Sequence, residues 1–194
     1  MKKRFLAALS ALLAALAITG CGKTVTWKED VQLSDGRVIV IERATERVGG
    51  GDDLAHGGSG SRPATEIIRL TDPIGSGRQV VEWRSTKTDS HLWPEVPLVL
   101  DVENGNLFVI AGVTSSDSCI TYSKYVFNSG ALREELLPER FEKRRPNLLI
   151  MNGPSMPKSV DLATKNREND DIRYPKGYRE IGPRRTWCEG VKAD

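Results

Sequence analysis

WKEDVQLSDGRVIVI, residues 27 to 41, decides the fold class. Trp27, Glu29, Val31 and Leu33 alternate with Lys28, Asp30 and Gln32, and a period of two places the first set on one face of a half-exposed strand. Ser34-Asp35-Gly36-Arg37 supplies a turn, with Asp-Gly the favoured pair where φ must be positive. Val38 to Ile41 is an unbroken β-branched run, which reads as a strand buried on both faces. The fifteen residues predict a β-hairpin.

The same grammar recurs downstream. Glu66 to Leu70 and Gln79 to Arg84 are strand candidates across a turn rich in Pro, Gly and Ser, and Leu98 to Val102 and Leu107 to Val113 flank Asn104-Gly105, a second hairpin. Cys119 to Phe127 and Asn147 to Met151 read as further strands. Ala131 to Phe141 is open: Leu132, Leu136 and Leu137 suit a helical turn that Pro138 stops. Ser159 as N-cap before Val160 to Asn166 gives the best helix. The expectation is a mainly β domain, an antiparallel meander of hairpins in a sandwich, barrel or partial propeller, with one short C-terminal helix. Residues 152–194, rich in Pro, Gly and charge, read as a loop-rich tail with little core of its own.

Upstream of the hairpin the chain changes character. Lys2, Lys3 and Arg4 precede an apolar run from Phe5 to Ala17, the layout of an export signal. The run is too short for the roughly 20 residues a membrane-spanning helix needs. It ends in Ile18-Thr19-Gly20-Cys21. In these residues the chain resembles the bacterial lipoprotein precursors, over about its first tenth. The resemblance implies a signal peptide over residues 1–20 and a diacylglyceryl group on Cys21, the mature N-terminus. Residues 21–24 are then lipidated cysteine and tether, and 25–194 a single β-rich domain facing the periplasm. Gly22, where the family's inner-membrane retention signal has aspartate, implies the outer membrane. Two or more acyl chains hold a protein stably on its bilayer, and three or four extended residues reach only about 10 to 14 Å, so the domain should sit close to the headgroups. The run from Trp27 to Val40 is also similar to the opening of small uncharacterised proteobacterial exported proteins, which implies no activity.

Removing Lys2, Lys3 and Arg4 from the 28 basic residues leaves 25 against 26 acidic ones, so no electrostatic footprint for nucleic acid remains. With Cys21 lipidated, Cys119 and Cys188 are left as a pair, which in an oxidising compartment reads as a disulfide. Such a bridge closes a loop of about 70 residues, worth about 4 kcal/mol in the chain-entropy account. Zinc fits less well, since neither cysteine has histidine partners at ligand spacing.

No catalytic motif is present. The glycine-rich loop, residues 49–60, matches neither the P-loop nor the dinucleotide fingerprint. Its His56 with Asp52 and Asp53 is the one conceivable cation cluster, weighed against a solvated loop. His91 lies in Ser90-His91-Leu92-Trp93-Pro94, and Ser59, Ser115 and Ser116 lack a nucleophile elbow. Asp52-Asp53, Glu134-Glu135 and Asp170-Asp171 are carboxylate pairs that read as solvated charge. Arg140, Lys143, Arg144 and Arg145, and separately Arg184 and Arg185, are basic clusters that would suit anionic headgroups or an acidic partner only if they converged. Trp83, Trp93 and Trp187 could be core anchors or a binding rim: Trp83, in a strand, suits the core, while Trp93, followed by Pro94 and Pro97, suits an exposed aromatic. The expectation is a lipid-anchored protein with a binding or structural role at the envelope, partnered by the membrane and possibly an envelope protein, with no cofactor and no metal. The alternative is an envelope hydrolase or other enzyme with a site assembled from distant residues, signalled by a concave pocket that sets His91 against a carboxylate.

Overall fold

The computed structural model describes residues 22–49, 61–71, 80–115, 119–128, 131–150, 153, 155–171, 176–182 and 186–188. In chain order the elements are β1 (Lys23–Gln32), β2 (Val38–Gly49), β3 (Ser61–Thr71), β4 (Val80–Arg84), β5 (Val96–Glu103), β6 (Asn106–Thr114), β7 (Cys119–Asn128) and β8 (Ala131–Glu135). A 3₁₀ turn (Glu139–Phe141), β9 (Ser159–Val160), α1 (Leu162–Asn169), α2 (Lys176–Arg179) and β10 (Thr186–Cys188) follow. One sheet has the order β4-β3-β2-β1-β9, antiparallel except for β9, which runs parallel to β1. The second has the order β10-β7-β6-β5. Residues 119–121 of β7 pair with β10 and residues 124–128 with β8, on the edge away from β6. The mainly β reading holds, and of its alternatives the two sheets fit the sandwich.

The opening hairpin forms as its alternation dictates, with Val25, Trp27, Glu29, Val31 and Leu33 all buried. Gly36 takes φ +87° while Asp35 stays at negative φ and accepts the Arg37 backbone N–H at 3.0 Å. The second turn uses both residues, Asn104 at φ 51° and Gly105 at φ 76°, the primed geometry that matches strand twist.

Sheet two is buried on both faces. Leu100, Leu107, Val109, Ala111 and Tyr125 pack against Val31, Ile41, Ile68, Leu70 and Trp83 of sheet one. Val99, Phe108, Ile110, Tyr122 and Val126 pack against Leu137, Phe141, Ile150 and Ile181. That second contact explains why β5 and β6 read as continuous apolar runs. Most of this third layer precedes the loop-rich tail, which contributes Ile181 to it and Val160 to a small cluster with Trp27 and Leu149.

Five local readings are corrected. Val38 and Val40 are 51% and 60% exposed, so β2 is not buried on both faces: its outward row begins with these valines, carries Glu42 and Glu46, and ends at the exposed Val48. Ala131–Glu135 is strand β8 rather than a helical turn, because β7 offers it a free edge. Asn147 to Ile150 is a buried connection and not a strand. There the Asn147 side chain meets the backbone N–H of Leu100 at 2.9 Å and its carbonyl at 2.8 Å, which satisfies the β5 edge with one amide. The helix begins at Leu162 with Asp161 as N-cap, accepting from Thr164 N at 2.7 Å, while Ser159 and Val160 are drawn into pairing with β1. In the glycine-rich segment, the β2–β3 ladder runs out to Gly49 opposite Ser61, so the hairpin takes residues read as loop. Among the described residues no helix is long and apolar enough to cross a membrane.

Candidate functional site

The two sheets share an end at which β1 begins, β2 ends and β3 begins. There the inward face of sheet one meets Leu149, Val160 and Met156 rather than sheet two, and its inward residues become charged. Glu29 on β1, Arg43 on β2, Glu66 on β3 and Lys165 on α1 are all buried. The Glu29 carboxylate accepts from Leu149 N at 2.7 Å, Trp27 Nε1 at 3.3 Å and Arg43 Nη1 at 3.2 Å, and Lys165 Nζ lies 3.4 Å away. Arg43 Nη2 reaches Glu66 at 3.3 Å, and Thr45 donates to the same carboxylate at 3.0 Å. The Arg43 guanidinium carbon stands 5.1 Å from the centre of the Trp27 ring. Lys165 also donates to the Asp30 carbonyl. Two carboxylates and two cations cancel, as buried charge requires. Burial nonetheless holds the Lys165 ammonium below its ordinary pKa of 10.5, against the pull of Glu29.

Beside this network lies a cavity of about 300 Å³, lined by Pro63 and Glu66 of β3, Val96 and Thr114 of sheet two, Ile150, Tyr178 and residues of the loop between β4 and β5. That loop, residues 86–95, is a short out-and-back excursion. Glu95, buried, anchors its base by accepting Thr86 N at 2.8 Å, Lys87 N at 3.3 Å and the Tyr125 hydroxyl at 2.8 Å. Asp89 shapes its tip by accepting both His91 N and Trp93 N at 2.8 Å, while Asp89 N donates to the Trp93 carbonyl at 2.9 Å. This closure holds Leu92 at φ 61°, a conformation uncommon for a non-glycine residue. Arg62 of β3 donates to the Leu92 carbonyl at 2.7 Å. The arrangement puts Asp89, His91, Trp93 and Pro94 on the cavity wall.

Tyr178 closes the opposite wall. Its hydroxyl lies 2.8 Å from Thr114 Oγ1, and Tyr122 steadies α2 by donating to the Gly177 carbonyl at 2.7 Å. Burial raises the Tyr178 phenol pKa, which keeps the ring neutral. The wall thus carries two aromatic rings, an imidazole and two carboxylates, with no lysine or arginine among its described residues. Apolar walls with a few convergent polar groups are the make-up of small-ligand sites.

His91 and carboxylates therefore share one concavity, the arrangement expected of an assembled site. Its chemistry is less than a dyad: Asp89 receives the main-chain N–H of His91, while the imidazole Nδ1 lies 3.3 Å from Ser90 Oγ. Trp93 is 47% exposed and Trp83 fully buried, as expected. Cys119 is disulfide-bonded, and the residue opposite it in the β7–β10 ladder is Cys188. Cys21, Asp52, Asp53, His56, Ser59, Ser116, Arg184 and Arg185 lie outside the described residues. In the first basic cluster Arg140 and Arg144 meet over the Phe141 ring, at 5.0 and 5.6 Å from its centre, and the charges are paired: Arg140 with Glu103, Arg144 with Asp101 and Arg145 with Asp170. Of the adjacent carboxylates, Glu134 takes Lys87 at 2.5 Å. No group of three or more potential metal ligands occurs among the described residues. Sequence reading missed Glu66, Asp89, Tyr178 and the buried network. Glu29 alone carried a signal, as a carboxylate on the inward row of an alternating strand.

No protein family matches the chain, and neither a curated protein nor a solved structure does.

Proposed function

We propose that this protein is a lipid-anchored binding protein of the bacterial envelope, held by acyl chains on Cys21 and taking a small ligand into the cavity between Trp93 and Tyr178. The observation that carries the binding half is the lining itself, in which the described residues include two aromatic rings and two carboxylates. Such a wall disfavours an anionic group and suits a neutral or amine-bearing one, which aromatic faces and carboxylates attract together. The anchoring half rests on the charged, apolar and cysteine segments of residues 1–21. Periplasmic exposure accords with the pairing of Cys119 and Cys188, which we propose as the disulfide.

Two experiments test the halves separately. Metabolic labelling with radioactive palmitate should mark the wild-type chain and not Cys21→Ser, which should accumulate as precursor; normal processing of the variant argues against anchoring. A thermal-shift screen over soluble sugars, short peptides and amines should find a compound that stabilises the wild type and not Trp93→Ala. An equal response in both places the binding elsewhere. The second reading, an envelope hydrolase, is favoured by His91, Asp89 and Glu66 lining one cavity. Turnover of a chromogenic ester that disappears in His91→Ala would support it.

A further inference from the structure

The excursion that bounds the cavity also carries an exposed apolar tip, and strand register places that tip at the same end of the sheet as the start of the chain's first strand, with β2 and β3 between them. Lys23, the first residue of β1, lies opposite Arg47, and Arg47 lies opposite Pro63 on β3. The neighbour of Pro63, Arg62, holds the Leu92 carbonyl at 2.7 Å. Lys23, Val48, Arg62, Leu92 and Trp93 therefore share one end of the sheet, a rim that spans three strands and the excursion. Leu92 is 55% exposed, Trp93 47% and Val48 37%. These side chains are held outward rather than left loose, because the Asp89 carboxylate binds the backbone on both sides of Leu92 and sustains its positive φ. Unfavourable backbone conformations persist where the surroundings over-determine them and cluster at functional positions.

We infer that this rim rests in the headgroup region of the bilayer that holds the lipid on Cys21. The inference rests on the anchoring proposed above. Only Gly22 separates Cys21 from β1, and two extended residues span about 7 Å, so anchoring brings this end of the sandwich to the membrane. What the end presents suits that position. Trp favours the membrane–water interface, where one side of the ring is apolar and the other wet, and an exposed Leu and Val add burial at the acyl boundary. Lys23 and Arg62 face anionic lipid with favourable charge. Of the nearby carboxylates, Glu46 is paired with Arg84 at 2.6 Å and Asp89 is turned onto its own loop. The cavity, whose wall includes Trp93, then opens beside the lipid surface.

The test uses the full protein reconstituted into vesicles of phosphatidylethanolamine and phosphatidylglycerol carrying brominated acyl chains. Co-flotation with the vesicles reads anchoring, and tryptophan quenching by bromine reads docking. Trp27 and Trp83 are buried, so comparison with Trp93→Phe isolates the rim. The docked rim gives strong quenching in the wild type, at least twofold weaker in both Trp93→Phe and Leu92→Asp. Aspartate tolerates the left-handed backbone at position 92, and Leu92 does not line the cavity. Co-flotation with equal quenching in wild type and Trp93→Phe would overturn the docking and leave the anchor standing. Quenching lost in Trp93→Phe but unchanged in Leu92→Asp would put lipid inside the cavity and also overturn it. Failure to co-float would remove the anchor, and the inference with it.

Discussion

The inward face of β1, β2 and β3 is two surfaces in one. Towards the β1–β2 turn it presents Val31, Ile41, Ile68 and Leu70 to sheet two and packs dry. Towards the other end the same strands, in the same alternation, present Glu29, Arg43 and Glu66 to Lys165 and the cavity. The backbone dictates which residues point inward and is indifferent to their chemistry; what tolerates charge in one half is the opposing layer. Apolar sheet two offers no partner, whereas the segment from Leu149 to Asn169 brings a backbone N–H and an ammonium. Apolar packing fills space, and a neutral ion network fixes which groups stand where, so the second kind of surface belongs beside a binding site.

Removing one charge from the closed network should have the largest effect. Arg43→Ala leaves Glu29 and Glu66 buried without their shared cation and should cost about 3 to 5 kcal/mol in urea unfolding. Arg43→Met combined with Glu66→Gln should recover part of that loss. If single and double variants unfold alike, the charges do not act as a unit and the contrast between the two halves fails. In the dry half, Ile68→Ala should cost about 2 to 5 kcal/mol through lost burial and a cavity, with no dependence on salt.

A half-open ion cluster on the far face of sheet two sharpens the contrast through pH. Arg140 first, and Lys124 second, hold the Glu103 carboxyl below its ordinary value of 4.5. A carboxylate with a depressed folded pKa contributes stability fully above its unfolded value, and that contribution is lost as pH falls through the folded one. The urea midpoints of wild type and Glu103→Gln should therefore differ most near neutrality and converge below about pH 4.5, towards the lowered pKa. A constant difference down to pH 2 would show that the variant loses packing and not charge. The smallest effect belongs to the solvent-facing ladder, where Arg69 bridges Glu42 at 3.1 Å and Glu82 at 2.6 Å. Arg69→Ala should cost at most about 1 kcal/mol, less with added salt, because these side chains are a third or more exposed and water screens them.

These expectations bear on how far the sequence could be read. Strand positions were legible because alternation and turn chemistry are local: Asn104-Gly105 and Asp35-Gly36 mark their hairpins without knowledge of anything distant. Glu29 was already on the inward row, and Trp93 was already suspected of exposure from its prolines. Facing was not legible, since Val38 to Ile41 and Leu107 to Ile110 look alike as apolar runs and differ only in whether a third layer covers them. Nor was the cavity, whose walls come from positions 63, 89, 114 and 178, brought together by sheet order and not by spacing. Asn147 gave no hint of its role because a strand edge that needs an amide is invisible until both neighbours are known.

Lys165 meets Glu29 and the carbonyl of Asp30, which lies 135 residues before it in the chain, and that interval has a temporal meaning. A chain made from its N-terminus completes β1, β2 and β3 long before α1 exists. Contacts so distant in sequence make folding slow, since loop closure must precede their reward. During that interval Glu29 has Arg43 but not yet the ammonium that completes its site. Lys165 is the last charge to arrive, and the buried network closes only once α1 is in place.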